Sequence, residues 1–212
     1  MIVLAGATGL IGGEVARLVP EKVHLLVRRP VEGGVAQKVA NPEDWPAAIA
    51  SIKPAVAIST LGTTIRQAGS QAAFRAVDFD LVLSVAKAAR EAGAKHFIMV
   101  SSVGASARSS TFYLKTKGEA EDAVRALGFD RVDVLRPGLL RGERSGPSRP
   151  GERIAIALSP VTDLLTPHVL SQYRSIAAAD VARAIAALLG RAEPGVHVHH
   201  NAEMLALAGS LG

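Results

Sequence analysis

The chain has 212 residues, 49% of them hydrophobic and 20% charged, with a formal net charge of +5 and no cysteine. That length holds one sizeable domain rather than two, and the composition excludes a disordered chain, a disulfide framework and thiolate metal sites. The basic excess is scattered singly or in pairs and only 4% of residues are aromatic, so neither the basic block nor the stacking platforms of a nucleic-acid binder are present.

Met1-Ile2-Val3-Leu4-Ala5 reads as a buried strand. Gly6-Ala7-Thr8-Gly9-Leu10-Ile11-Gly12-Gly13 follows at once and leads into a helix with Val15, Leu18 and Val19 on one face. Between such a strand and such a helix, a glycine-rich turn means dinucleotide binding. Gly6 permits the tight turn, Gly9 lets the backbone approach a pyrophosphate, and Gly12 lets the helix pack on the strand. The N–H groups of the first helical turn lack intrahelical partners and point at the phosphates, and the helix dipole adds to the attraction, so Ala7, Thr8, Leu10 and Ile11 join the glycines as cofactor-binding candidates.

Val23–Val27 is the second strand and runs into Arg28-Arg29-Pro30. An NAD-binding unit carries an acidic residue there for the ribose 2′-hydroxyl. Two guanidiniums instead suit a 2′-phosphate, so NADP(H) is expected over NAD(H), with Arg28 the stronger candidate because it comes straight off the strand. A weak third strand lies around Gln37–Ala40. Asn41-Pro42-Glu43-Asp44 starts a helix in which Trp45 is a packing residue. Ala55–Ser59 is the fourth strand.

Gln71–Ala92 predicts one long helix, with Phe74, Val77, Leu81, Val85 and Ala88 on its buried side and Gly93 as its stop. Asp78 and Asp80 read as solvated or cap-like. His96–Ser101 is the fifth strand, Leu114–Leu127 a helix ended by Gly128, and Val132–Leu135 the sixth strand, ending at Arg136-Pro137-Gly138. Arg141–Arg153 is a Gly/Pro loop at the carboxyl edge of the sheet, read as a substrate-side loop. Apolar residues across 154–175 fit either an apolar substrate pocket or a helix packed on the core. Asp180 reads as the N-cap of a helix to Leu189. Val196–His199 is the last strand, with His197, His199 and His200 as plain strand histidines and no metal site. The whole is a single α/β domain over 1–212: a Rossmann-type doubly wound parallel sheet with helices on both faces and a small C-terminal substrate-side region at 141–175.

The catalytic candidates are Ser102, Tyr113 and Lys117. Tyr113 and Lys117 stand one helical turn apart, about 40° around the axis, so both can face one site. A phenol with a pKa of about 10 is a poor acid or base near neutrality, and a neighbouring ammonium favours its ionised form. A serine on the adjacent strand end can hold a substrate oxygen. Lys115 projects from a different side of the helix.

The runs GATGLIGG, Ser59-Thr60-Leu61-Gly62-Thr63-Thr64, Val100-Ser101-Ser102-Val103-Gly104-Ala105, Tyr113-Leu114-Lys115-Thr116-Lys117-Gly118-Glu119 and Arg136-Pro137-Gly138-Leu139-Leu140 resemble atypical short-chain dehydrogenase/reductases. The G-x-x-G-x-x-G spacing is their variant. The likeness is to the HIV Tat-interactive protein 2 (TIP30)-like oxidoreductases of the NAD(P)H-binding, NmrA-like group, and it covers residues 1 to about 145. It implies a Rossmann fold, bound NADPH and a Ser102–Tyr113–Lys117 set. It also implies that Ser59, Thr60, Leu61, Gly62 and Ser101 lie along the cofactor with Tyr113 and Lys117, and that Pro137, Gly138 and Leu139 back the nicotinamide. The third strand departs from many relatives, with Val39 and Ala40 where they place an Asp against adenine.

The expected function is an NADP(H)-dependent oxidoreductase acting on a small carbonyl or alcohol. The alternative is an NADPH-binding regulator or scaffold without turnover. A sugar-nucleotide epimerase or dehydratase is disfavoured, because little chain remains after residue 140 to clasp a nucleotide sugar. The apolar runs are too short to span a membrane. With a core strand at residue 1 and no cysteine, the expected setting is cytoplasmic, as a monomer or homodimer.

Overall fold

The computed structural model describes residues 1–142 and 173–211. Its central strands are β1 (Ile2–Ala5), β2 (Val23–Val27), β3 (Gln37–Val39), β4 (Val56–Ser59), β5 (His96–Val100), β6 (Arg131–Leu135) and β9 (Gly195–His199). They form a seven-stranded sheet in the order β3-β2-β1-β4-β5-β6-β9. Every neighbouring pair is parallel. The chain order reverses between β1 and β4, and the crevice beyond their carboxyl ends is where open α/β sheets bind ligands. A small parallel ribbon pairs β7 (Leu140–Arg141) with β8 (Ile176–Ala177).

Alternation along the strands decides which side chain enters which core layer. Ile2, Leu4, Leu25, Ile58, Ile98 and Leu135 pack on one face with Ile11 and Val15 of α1 (Leu10–Leu18), Val181 and Ile185 of α7 (Ala178–Leu188) and Met204 of α8 (Asn201–Gly209). Val3, Ala5, Leu26, Ala57, Phe97, Met99 and Val134 pack on the other face. Their partners are Ile49 of α2 (Trp45–Ile52), Val85 of α5 (Val82–Glu91) and Val124 of α6 (Phe112–Arg125). Both faces of each central strand are therefore buried, which is why β1 and β5 read as near-continuous apolar runs. Trp45 is a packing residue as expected, its indole N–H donating to the Ala40 carbonyl at 3.1 Å.

The long helix expected over Gln71–Ala92 is built differently. After the short α3 (Ile65–Ala68) come α4 (Gln71–Arg75), a π-helical segment Ala76–Leu81 and then α5. The wider turn changes which side chains face inward. Asp78 and Val82 are buried, while Val77 and Leu81 are only half-buried. The reading of Asp78 as solvated is thus corrected, whereas Asp80 is exposed.

Asp180 is not an N-cap. Ala177 occupies that position, and Asp180, in the first turn of α7, pairs with Arg183. The C-terminal helix α8 has no counterpart among the expected elements. It starts with a capping box in which the Glu203 carboxylate accepts from the His200 amide. The readings placed on the loop beyond Gly142 and on 154–172 fall outside the described residues.

Candidate functional site

The glycine turn and the turn after β4 interlock at the head of the crevice. Gly6 adopts φ 94°, a left-handed conformation that glycine takes without a steric penalty. A Cβ at Gly6 would stand 2.6 Å from the Thr60 hydroxyl, and one at Gly12 would stand 2.2 Å from the Gly6 carbonyl. Thr60 in turn reaches back to the Ala5 carbonyl through its amide at 2.9 Å and its hydroxyl at 3.2 Å. Close packing alone therefore requires glycine at both positions.

No side chain caps α1 at its N-cap Gly9, and the first i→i−4 bond is Gly13 N–H to the Gly9 carbonyl at 2.9 Å. Before it, the Gly9 N–H closes the turn onto the Gly6 carbonyl at 2.9 Å, and the N–H groups of Leu10, Ile11 and Gly12 at the start of α1 are open to an anion. The Ser59 hydroxyl is buried in the same crevice and lacks a hydrogen-bond partner among the described residues. A bare helix N-terminus behind a turn with no room for side chains, beside an orphaned hydroxyl, fits a dinucleotide.

Arg28 and Arg29 stand exposed just past β2, beside that crevice, and neither makes an ion pair or hydrogen bond among the described residues. The loop they open is clamped by Gln37. Its amide donates to the Val31 carbonyl at 2.8 Å, and its amide oxygen accepts from the Val31 N–H at 2.9 Å.

Helix α6 carries Tyr113 in its first turn and Lys117 in the next. The Tyr113 ring is half-buried and packs on Phe74 with centroids 5.4 Å apart, and its hydroxyl has no partner among the described residues. Lys117 is buried, and its ammonium lies 2.7 Å from Asp78 Oδ1. The other carboxylate oxygen of Asp78 accepts the Thr63 N–H at 2.9 Å. Burial pushes the Asp78 carboxyl above its ordinary range, against the opposing pull of Lys117 and Thr63. Lys115 is exposed, as its position on the helix implied.

The two serines at the end of β5 part company. Ser101 is buried and donates to Glu121 Oε1 at 2.5 Å. Ser102 is half-buried, with only a long 3.3 Å contact to the Val103 carbonyl. Of the pair, Ser102 keeps the hydroxyl available to a ligand.

Glu121 carries no motif signal in the sequence, yet it fixes the site. Besides Ser101 it accepts from Arg136 at 3.0 and 2.6 Å and from Arg125 at 2.8 Å. One buried carboxylate thereby ties α6 to the ends of β5 and β6. Gly118 adds to this, since a Cβ there would lie 2.2 Å from the Ala107 nitrogen. At Pro137–Leu139 the Gly138 N–H donates to Asn201 Oδ1 at 3.1 Å, and Asn201 Nδ2 donates to the Arg174 carbonyl at 2.5 Å. The start of α8 thus braces the loop after β6.

The histidines are not plain strand residues throughout. His199 and His96 meet the two oxygens of buried Asp133 at 2.7 and 2.6 Å, and Arg131 grips the same carboxylate at 2.6 and 2.8 Å. Burial alone would raise the Asp133 carboxyl, but the hydrogen bonds from His199, His96 and Arg131 hold it well below the usual carboxylate range. Among the described residues no group of three or more His, Cys, Asp or Glu side chains is arranged to hold a metal ion.

Comparison with known proteins agrees with the geometry. The chain matches the model of a family described as NAD(P)H-binding over residues 6–192. It is 38% identical over 162 residues to "Protein FMP52, mitochondrial" of Lodderomyces elongisporus, covering 68% of each chain. It is 36% identical over 169 residues to the fmp52 protein of Emericella nidulans, covering 73% of this chain and 72% of the relative. Among solved structures it superposes on MoeE5 in complex with UDP-glucuronic acid and NAD with a TM-score of 0.71 at 16% identity, covering 99% of this chain and 81% of the other. The UDP-glucose 4-epimerase of Thermus thermophilus in complex with NAD gives 0.70 at 19% identity, covering 99% and 82%. At such identities the structural likeness speaks for the fold. The cytoplasmic expectation is overturned, because the relatives in sequence are named as mitochondrial proteins. A chain without cysteine carries no redox signature of any compartment, so its composition could not decide the matter.

Proposed function

This chain belongs to the NAD(P)H-binding family, and from that premise we propose that it is an NADP(H)-dependent oxidoreductase of the short-chain dehydrogenase/reductase type, acting on a small carbonyl or alcohol. Its relatives' names point to a mitochondrial setting. The observation that carries the reading is the Tyr113 hydroxyl, half-buried and without a protein partner among the described residues, one helical turn from the Lys117 ammonium.

Gly6, Gly9 and Gly12 with the open N–H groups of α1 would hold the pyrophosphate. Arg28, with Arg29, would take the 2′-phosphate as a forked donor pair. Ser59–Gly62 would lie along the cofactor, and Pro137–Leu139 would back its nicotinamide. A nicotinamide held there would supply or accept the hydride. Tyr113 would donate the proton to the substrate oxygen or take it back, Lys117 would stand one helical turn away on the same face, and Ser102 would orient that oxygen.

Two measurements test this. NADPH should bind more tightly than NADH, and Arg28→Glu should remove the difference; equal affinity of the parent for the two cofactors overturns the arginine argument. A screen with carbonyl substrates should find NADPH consumption that Tyr113→Phe lowers by at least about 100-fold. Tight NADPH binding with no substrate consumed would leave a sensor or scaffold and sink the enzyme reading.

A further inference from the structure

The Asp78–Lys117 pair is the strongest feature that the sequence did not show. Asp78 stands in the π-helical segment between α4 and α5, Lys117 on α6, and Thr63 in the segment that continues the cofactor turn. Three separate stretches of chain converge on one carboxylate. The two side chains are 0% and 6% exposed. A Cβ built on Gly62 would lie 3.5 Å from both Asp78 Oδ1 and Lys117 Nζ, so the Ser59–Gly62 turn rests directly on the pair.

We propose that Asp78 is a positioning residue that keeps the Lys117 ammonium charged and joined to the cofactor turn. The inference rests on the reading that Lys117 serves the cofactor and Tyr113. A buried ammonium without a counter-charge sheds its proton, and a neutral amine neither favours a phenolate nor grips a ribose hydroxyl strongly. Asp78 supplies that counter-charge at contact distance. Its second oxygen, on the Thr63 amide, couples the position of the ammonium to that of the turn.

The other charged groups nearby are committed elsewhere. Arg75 of α4 lies over the Phe79 ring and pairs with Glu119 of α6 at 2.5 Å. Asp80 and Lys115 are exposed. Were the pair mere packing, two apolar side chains would serve as well or better. Its location, one turn from Tyr113 and under Gly62, gives the ion pair a role that apolar residues could not fill.

The test reads the lysine itself. In lysine-labelled protein, the Lys117 side-chain NMR signal is assigned by its loss in Lys117→Met and followed against pH in the parent and in Asp78→Asn. Asparagine retains an acceptor for Thr63 and removes only the charge. The pH at which Lys117 loses its proton should fall by at least about one unit in Asp78→Asn, and NADPH affinity should fall about tenfold. An unchanged Lys117 titration in the folded variant overturns the proposal. If Asp78→Asn does not fold, the double variant Asp78→Asn/Lys117→Met decides. Its melting temperature should lie above that of Lys117→Met alone, and a lower one overturns the coupling. A parent that binds no NADPH would defeat the cofactor reading while leaving the lysine titration to judge this inference separately.

Discussion

Asp78 and Asp133 are both buried carboxylates, yet their surroundings push them in opposite directions. Asp133 lies in the middle of β6 and receives two imidazoles and a two-pronged guanidinium, and it stays ionised far below the ordinary range. Asp78 lies beside the turn after β4 with one ammonium and one backbone amide, and burial wins over them. Both are essentially without solvent, so donor number makes the difference. The saturated carboxylate is a rivet of the sheet. The other depends on a single cation, and that cation sits where the chemistry is proposed.

The largest expected effect is on the rivet. Asp133→Ala strands Arg131, His96 and His199 and should cost about 3–5 kcal/mol in denaturant unfolding. The native Asp133 carboxyl lies below its ordinary value of 3.8. Its contribution is therefore complete above that value and lost as pH falls below it. Asp133→Asn should correspondingly flatten the acid limb of the stability curve.

Lys117→Met should cost less, about 2–3 kcal/mol, because Asp78 can take up a proton once its cation is gone. A raised native value means stability is greatest at low pH and declines as pH rises through it. The loss in Lys117→Met should accordingly be larger at mildly alkaline than at mildly acidic pH, and a pH-independent loss would break the contrast. His199→Phe removes one donor of several from Asp133 and should cost only about 1.5 kcal/mol by the same unfolding measurement. At the bottom, Arg17→Ala breaks an exposed pair with Glu14 within α1 and should shift stability by under about 0.5 kcal/mol.

Much of this molecule is readable from its sequence because the signals are local. The strand–glycine–helix opening and the alternation of Val3 and Ala5 against Ile2 and Leu4 each require only a few neighbouring residues. Tyr113 and Lys117 share a helix face by spacing alone. What stays hidden is what distant segments impose. Asp78 reads as solvated under an ordinary helical repeat, and only the packed structure shows the wide turn. Glu121 stands one turn beyond Lys117, but its partners Ser101 and Arg136 arrive from two strand ends. The Asp133 cluster needs β5, β6 and β9 side by side before His96 and His199 can meet. Asp180 has the chemistry of a cap, but Ala177, a residue with no capping side chain, holds that place.

The π-helical turn has a consequence in chain length. A turn closed by i→i+5 bonds holds one residue more than its α-helical counterpart. Deleting a single residue between Ala76 and Leu81 would restore a regular helix with α4 and α5 still in phase, and only the side chains inside the wide turn would change the way they face. Phe74 of α4 would keep its place against Tyr113, while Asp78, inside the turn, would lose the position from which it meets Lys117, with the sheet and the glycine turn untouched. The link between the proposed acid–base end of the site and its dinucleotide end therefore hangs on one extra residue of helix, carried in the turn whose carboxylate touches both Lys117 and the segment after β4.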